Sequence, residues 1–570
     1  MAVIDRILHE VPPPPSRLDA SIPDAFDAVV ARALEKDQAR RYQSARELRE
    51  DLHEVARGLT TGQPGTARMA APRANGLCCS VAVMTFANIT REPADDWIGT
   101  GIAETVSTDL KNIAGLSVIC RARVFDALRN ISSSGRMDEG LAIDIGRRLG
   151  AAWVVVGGFQ RLGELIRITA NFIDVSSGEA KRTVKVDGRL TDIFSLQDKI
   201  VFDLSQGLNL ALRGSEIAQI ERRETRSVEA YESYARGMMN LRLATRDSME
   251  RAIAAFEAAT AQDPEYALAW AALGGAYALK GSFMAMPDLA RRAIDMERRA
   301  LALDPGLPEA HVWLGSALLG LRRTDEAIAA VQQAIRLDPD NGQAHQGLAR
   351  AYWVGKGDFA AAIPAFERSI ELNPEAGYSY LQLGLLLAWE GQYDRAEAVC
   401  RTAVGLQEQY ISGNAGLQIV GAHARLGYVH YLRGDYDAAL REYERELMFI
   451  GSSDHALRDR TAIELNIKIG AAHLRKSQPE DARRFFGRAL KAFETRVSEG
   501  ADDPSTRYYA ACAYALLGDA DRALDSLERV ASSLPALTAA RIRRDPDLDS
   551  LRGHERFQAL LGNPQPGSER

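Results

Sequence analysis

"WLGSALLGLRRTDEAIAAVQQAIRLDP", residues 313 to 339, decides the fold of most of this 570-residue chain. An apolar residue and a glycine open a helical stretch, a short polar turn carries an aspartate, and an alanine then opens a second apolar helix. "YLQLGLLLAWEGQYDRAEAVCRTAVGL", residues 380 to 406, repeats that order. Apolar residues recur at helical spacing on both sides of the turn, so each unit reads as two helices packed face to face. Small residues stand where the two helices must cross closely.

The unit recurs along the chain. Asp-Pro or Asn-Pro pairs close helices at Asp263-Pro264, Asp304-Pro305, Asp338-Pro339 and Asn373-Pro374, because proline cannot continue a helix. About eight copies are expected: 228–265, 266–306, 307–340, 341–375, 376–410, 419–453, 462–497 and 503–533. Insertions such as "GSFMAMPD" (281–288) lengthen some of them. A period near 34 residues built from helix pairs is the signature of a solenoid. The pattern resembles the tetratricopeptide repeat family, carried by Leu314, Gly315, Ala327, Ala334 and Pro339, with Leu383, Gly384, Ala396 and Ala403 as counterparts in the unit two further on. "DPDLDSLRGHERFQALLG" (545–562) resembles the closing segment of such arrays, with Phe557 and Leu560 expected to cover the last repeat. The array is assigned to 228–562.

Ahead of the array the period changes. "SVAVMTF" (80–86), "LSVIC" (116–120), "AWVVVGGF" (152–159), "LIRITANFIDV" (165–175) and "AKRTVKVDG" (180–188) read as strands. Helical patterns at 98–113 and 139–150 separate the first three, and a third at 193–208 follows the last strand. This order predicts an α/β domain with a mixed sheet over 80–212. "VAVMTFAN", "GIAETVSTDL", "LGAAWVVVGGFQRLGELIRITANFIDVSSGEAKRT" and "DIFSLQDKI" together resemble the TolB amino-terminal-like domain that precedes repeat arrays in bacterial signalling proteins. That resemblance implies an accessory or sensory role and leaves any small-molecule ligand unidentified.

Residues 1–59 read as a helical hairpin after a proline-rich start, with Phe26, Val29, Val30, Ala33 and Leu34 on one stripe and Leu48, Leu52 and Val55 on the next. Ser44 and Glu47 have the spacing of a capping box. Residues 60–79, rich in Gly, Pro, Thr and Ala, read as a linker. "ARALEKDQARRYQSARELREDL" (31–52), with "ILHEVPPPPSRLDASIPDAFDAVV" before it, resembles the carboxy-terminal end of a bacterial Ser/Thr protein kinase domain. The resemblance implies that the arginine matching Arg41 packs against a glutamate closing the activation segment, which is not found in these residues. A Gly-rich phosphate loop, a strand lysine and magnesium-binding carboxylates, all needed for phosphoryl transfer, are not found either. "VAVM" (81–84) has Met84 where the kinase strand ends in lysine, and "GDF" (357–359) falls in a repeat turn.

The expected fold is therefore multidomain: a short α-helical kinase-end remnant, an α/β mixed-sheet domain, and an all-α tetratricopeptide repeat solenoid. The net charge of -7 forms no basic face, so nucleic acid is not the expected partner. No run approaches a membrane span and no secretion leader is recognisable, so the cytoplasm is the expected location. Five scattered cysteines, with Cys78 and Cys79 adjacent, and nine dispersed histidines have no metal-ligand spacing, so neither cofactor nor metal is expected. His423 and His430 share a helix face and read as packing. Gly99 and Gly101 read as a turn into a helix, and Gly157 and Gly158 as a bulge or a close strand approach.

Function is expected in the groove lined by the first helices of the repeats, which can hold an extended or helical peptide. The positions just off the packing stripe are Arg350, Trp353, Tyr378, Leu385, Trp389, Tyr428 and Tyr431. Their aromatic character favours an apolar anchor on a protein or peptide partner over an acidic tail. Replacing Trp353 or Trp389 with alanine is expected to weaken binding and to leave folding intact. The chain as given reads as a non-catalytic signalling scaffold. The alternative is a fragment, or misassigned start, of a full bacterial Ser/Thr kinase carrying these accessory domains.

Overall fold

The computed structural model describes residues 25–33, 41, 42, 47, 51, 79–121, 123–125, 127, 138–208, 210, 212–222, 224–241, 243, 245–284, 286–412, 419–453, 455 and 457–562. They fall into two compact units, 1–77 and 78–570. In the first, helix α1 spans Ala25–Ala33 and Glu47 and Asp51 are also helical. Arg32 reaches both carboxylates, at 3.1 and 3.3 Å. Ser44, the side chains of Phe26, Leu34, Leu48, Leu52 and Val55, and residues 60–78 lie outside the described residues.

The second unit opens with β1 (Cys79–Val83), β2 (Ala87–Asn88), α2 (Asp96–Lys111), β3 (Leu116–Val118), α3 (Glu139–Leu149), β4 (Trp153–Leu162), β5 (Leu165–Asp174), β6 (Ala180–Arg189) and α4 (Ile193–Gly207). The sheet order is β3-β1-β4-β5-β6, with β2 beside β4; β3, β1 and β4 run parallel, while β4, β5 and β6 are antiparallel. Alternation along β1 sends Val81 and Val83 toward α2 and α4, and Ala82 and Met84 toward α3. Both faces are covered, and the mixed sheet is small. The two-residue β2 escaped the sequence reading, being too short for any period to register.

A short helix α5 (Gly214–Ile220) leads to eight helix pairs. These are α6 (Val228–Leu241) with α7 (Arg246–Gln262), α8 (Ala267–Met284) with α9 (Pro287–Leu303), and α10 (Pro308–Gly320) with α11 (Thr324–Leu337). Then come α12 (Gly342–Arg350) with α13 (Phe359–Leu372), α14 (Gly377–Trp389) with α15 (Tyr393–Ser412), and α16 (Ala422–Leu432) with α17 (Tyr436–Gly451). The last pairs are α18 (Arg458–Arg475) with α19 (Pro479–Ser498) and α20 (Pro504–Leu516) with α21 (Ala520–Ser533). The chain closes with α22 (Pro535–Ile542), a 3-10 turn (Pro546–Leu551) and α23 (Glu555–Leu561). No helix among the described residues is long and apolar enough to cross a membrane.

One contact repeats through the array. In six of the eight pairs a glycine of the first helix faces one side chain of the second: Gly237 meets Phe256, Gly274 Glu297, Gly315 Val331, Gly384 Cys400, Gly427 Tyr443 and Gly470 Phe486. A β-carbon on any of these glycines would collide with its partner, which is why the sequence holds glycine at the crossing. From the third pair to the eighth a left-handed residue makes the turn between helices, supplied by Gly357, Gly391, Gly434 and Gly518 but by Arg322 and Ser477 in two pairs. In the fourth pair the spacing to that residue is one longer, and a π-helical turn over Ala351–Lys356 absorbs the extra residue.

The α/β domain and the array share one core. Tyr231 of α6 is buried against Trp97 and Phe194, with ring centroids 5.9 and 5.2 Å away. Gly101 makes room for it, and Gly99 packs on the Phe86 backbone. Both glycines lie within α2 and neither makes a turn, contrary to the sequence reading; close packing is their physical reason. Gly157 and Gly158 meet the Thr169 and Ala87 carbonyls, a close strand approach.

The junctions between successive pairs form one edge of the array, and the α/β domain with its connector runs along it. Thr225 donates to Asp263, Arg222 to Asp304, and Arg148 to both Glu375 and Gln409, while Lys111 pairs with Asp338. Later coils close on earlier ones: Arg246 pairs with Asp459 at 2.7 Å, and Arg322 donates to the Ser532 carbonyl at 2.7 Å.

Candidate inner-face site

The first helices carry the inner face, and its expected residues fall in two regions. Arg350, Trp353 and Tyr378 are grouped at the fourth and fifth pairs: the Arg350 guanidinium lies 6.0 Å from the Tyr378 ring and donates to Ser316 at 3.2 Å. Tyr378 is exposed, whereas Arg350 and Trp353 are half-buried. Leu385, Trp389, Tyr428 and Tyr431 are buried, and the Trp389 indole donates to the Tyr428 hydroxyl at 3.3 Å.

What buries this second region is the chain's own carboxy-terminal segment. The 3-10 turn crosses the inner face, where Asp547 accepts from the Tyr431 hydroxyl at 2.6 Å and from Lys468 Nζ at 2.8 Å. Arg475 donates to the Pro546 carbonyl at 3.0 Å, and Tyr508 donates to Asp545 at 3.0 Å. Arg541 lies 3.6 Å from the Tyr508 ring centre and 5.3 Å from that of Trp389, and Arg544 pairs with Glu390 at 2.8 Å. The left-handed Gly357 admits the Ala536 carbonyl directly beneath it. Ile542, Leu548, Leu551 and Phe557 are fully or almost fully buried, so the segment covers the last repeat, as expected of Phe557, and fills the adjoining groove as well.

The electrostatics follow from burial. Desolvation works to lower the Lys468 pKa, but Asp547 and Asp545 outweigh it and hold the ammonium well above its ordinary range. Burial raises the Asp545 carboxyl, opposed by Lys468. Cys512, Asp545 and Asp547 bring three ligand-type atoms within 4.8 Å of one another. Lys468 and Arg541 already stand against those two carboxylates, so their charge is balanced by side chains. Burial also drives the Cys512 thiol well up, which removes thiolate character at neutral pH.

Beside this network, Arg425 pairs with Glu464 at 2.5 Å, and the Tyr509 hydroxyl donates to the same carboxylate at 2.6 Å. His423 is buried, with its ring nitrogens 2.6 Å from a Glu442 carboxylate oxygen and 3.6 Å from one of Glu408; both carboxylates come from other helices. Lys468 was missed in the sequence. Its signal was a lysine in the apolar run "ELNIKIGAAHL" (464–474), where a charge at a core position needs a buried partner.

Models of the tetratricopeptide repeat match residues 290–351, 347–411 and 506–536, and these segments are tetratricopeptide repeats. The chain is 30% identical over 252 residues to putative adenylate cyclase 3 of Rhizobium meliloti (strain 1021), covering 44% of this chain and 41% of the relative. It is 31% identical over 139 residues to human superkiller complex protein 3, covering 23% of this chain and 9% of that protein. The chain thus spans less than half the length of either relative. Among solved structures, MamA is 27% identical over 29% of this chain and 93% of its own, with a TM-score of 0.24. The Cut9-Hcn1 hetero-tetramer of APC/C is 13% identical over 80% of this chain and 73% of that one, with a TM-score of 0.41.

Proposed function

We propose that this chain is a non-catalytic, cytoplasmic signalling scaffold in which a TolB-like α/β domain is joined rigidly to a protein-binding repeat array. The observation that carries the reading is the seat of Tyr231: the first repeat helix is part of the α/β core, so a change in one is felt by the other. An accessory role is supported by the likeness to a protein named as a putative adenylate cyclase, which matches over less than half its length. The remaining length of such a relative has room for a catalytic domain that this segment regulates.

The test uses the purified 570-residue chain. Neither phosphate transfer from ATP nor cyclisation of ATP is expected, and cross-linking in cells should capture a protein partner on 78–570, the compact unit that keeps Tyr231 in its seat. Turnover of ATP, or no cross-linked protein, would overturn the reading.

A second reading makes the chain the later part of a Ser/Thr kinase. It is supported by the resemblance of 31–52 and by the clasp of Arg32 on Glu47 and Asp51. Sequencing the DNA upstream of Met1 decides it: an in-frame segment with the phosphate loop and strand lysine is expected, and an in-frame stop close to Met1 removes the reading.

A further inference from the structure

The way the carboxy-terminal segment is held is unlike that of a simple cap. Ile542, Leu548, Leu551 and Phe557 alone supply a large apolar contact, and burial of such side chains is the main source of stability in a packed segment. The ionic contacts add little to this, because a buried ion pair is often no more stabilising than well-packed apolar residues of the same volume. They do impose selectivity. Lys468 and Tyr431 converge on one carboxylate, Tyr508 reaches a second, and Arg475 reads the carbonyl between them. Among the described residues the ion pair of Lys468 is with Asp547 of that segment, and the lysine otherwise faces the aromatic rings of Tyr428, Tyr431 and Tyr509.

We infer that the inner face of the fifth to eighth pairs is a receptor for an acidic Asp-Pro-Asp turn preceded by arginine, which residues 541–548 occupy in cis and which a partner segment of the same chemistry competes to enter. This rests on the reading of the array as a protein-binding scaffold and names the chemistry of its partner. An intramolecular occupant has an effective concentration on the order of millimolar. A partner therefore gains entry only where its own concentration or further contacts outweigh the tether. Acidic recognition replaces the apolar anchor expected from the aromatic residues, because Lys468 stands among those rings.

The test is exchange. A protease site is inserted between Ser533 and Leu534 in the full chain, the purified protein is cut, and a fluorescent peptide of residues 535–562 is added. The labelled peptide should enter with a rise in anisotropy, and unlabelled peptide should displace it. The Asp547→Asn peptide should compete at least tenfold less well, and this preference should vanish in cut chain carrying Lys468→Met. Unfolding on cleavage, failure of the peptide to exchange, or equal competition by the Asp547→Asn peptide would each overturn the proposal. Partner capture by the uncut chain that excess peptide does not reduce would also overturn it, while leaving the scaffold reading in place.

Discussion

The Tyr231 hydroxyl, carried by the first helix of the repeat array, accepts a hydrogen bond from Gln197 Nε2 at 2.8 Å inside the core of the α/β domain. Thr105 shares that hydroxyl at 3.0 Å. The two architectures are therefore one cooperative body at this point, and Tyr231→Ala should separate them. Removing so large a buried ring costs about 3–5 kcal/mol by analogy with other aromatic truncations. Urea unfolding followed by near-ultraviolet and far-ultraviolet signals should change from coincident to separate transitions. Tyr231→Phe should keep coincidence and lose about 1–3 kcal/mol through the polar groups it leaves unpaired.

Glu297 is the only acid in the series of second-helix residues that face a glycine, Phe256, Glu297, Val331, Cys400, Tyr443 and Phe486. It is fully buried, and neither carboxylate oxygen has a hydrogen-bond partner among the described residues. Burial raises its pKa well above the ordinary 4.5. The unfolded chain loses this proton near that ordinary value while the folded chain keeps it. Stability is therefore fully present below about pH 4.5 and falls as pH rises toward the folded pKa, with a slope of up to about 1.4 kcal/mol per pH unit for one proton. Glu297→Val should remove this contribution, and comparing urea midpoints of the two proteins between pH 4 and 8 measures it. Parallel pH profiles would contradict the assignment.

Trp389 and Trp353 should behave differently from each other. Trp389 stacks on Phe359 at 5.4 Å beneath Arg541, so Trp389→Ala should lower stability by about 3–5 kcal/mol. This replaces the expectation that its loss leaves folding intact. Trp353, half-buried on the π-helical turn, should cost clearly less when truncated. Melting temperatures of the two variants give the comparison.

Ser477 and Arg322 both hold left-handed backbone, with φ of 59° and 63°. Ser477→Gly should stabilise the chain by up to about 1 kcal/mol, since glycine adopts that conformation without steric cost. Arg322→Gly should bring no such gain, because it also removes the hydrogen bonds to Ser532 and Ser533 that tie one coil to the next. Denaturant midpoints of the two variants should therefore move in opposite directions or differ by more than 1 kcal/mol.

Much of the architecture was legible because it is local. The 3.6-residue period, Gly315 and Gly384 at helix crossings, and the Asp-Pro endings each report on neighbours within one helix pair. The alternation in β1, β4 and β5 likewise marks two covered faces. At the candidate site, the surroundings of the expected residues were not legible. Trp389, Tyr428 and Tyr431 stood in a recognisable inner-face pattern, but a buried ring and an open one give the same pattern.

The sequence by itself determined the helix pairs and the small mixed sheet, since propensity and periodicity act over a few residues. Only the tertiary structure decided that Tyr231 belongs to both domains and that Asp547 sits on Lys468 and Tyr431. Those contacts join residues 34 to 126 positions apart. No local pattern records them, because they form only when the array coils and brings distant charges and rings into one desolvated space.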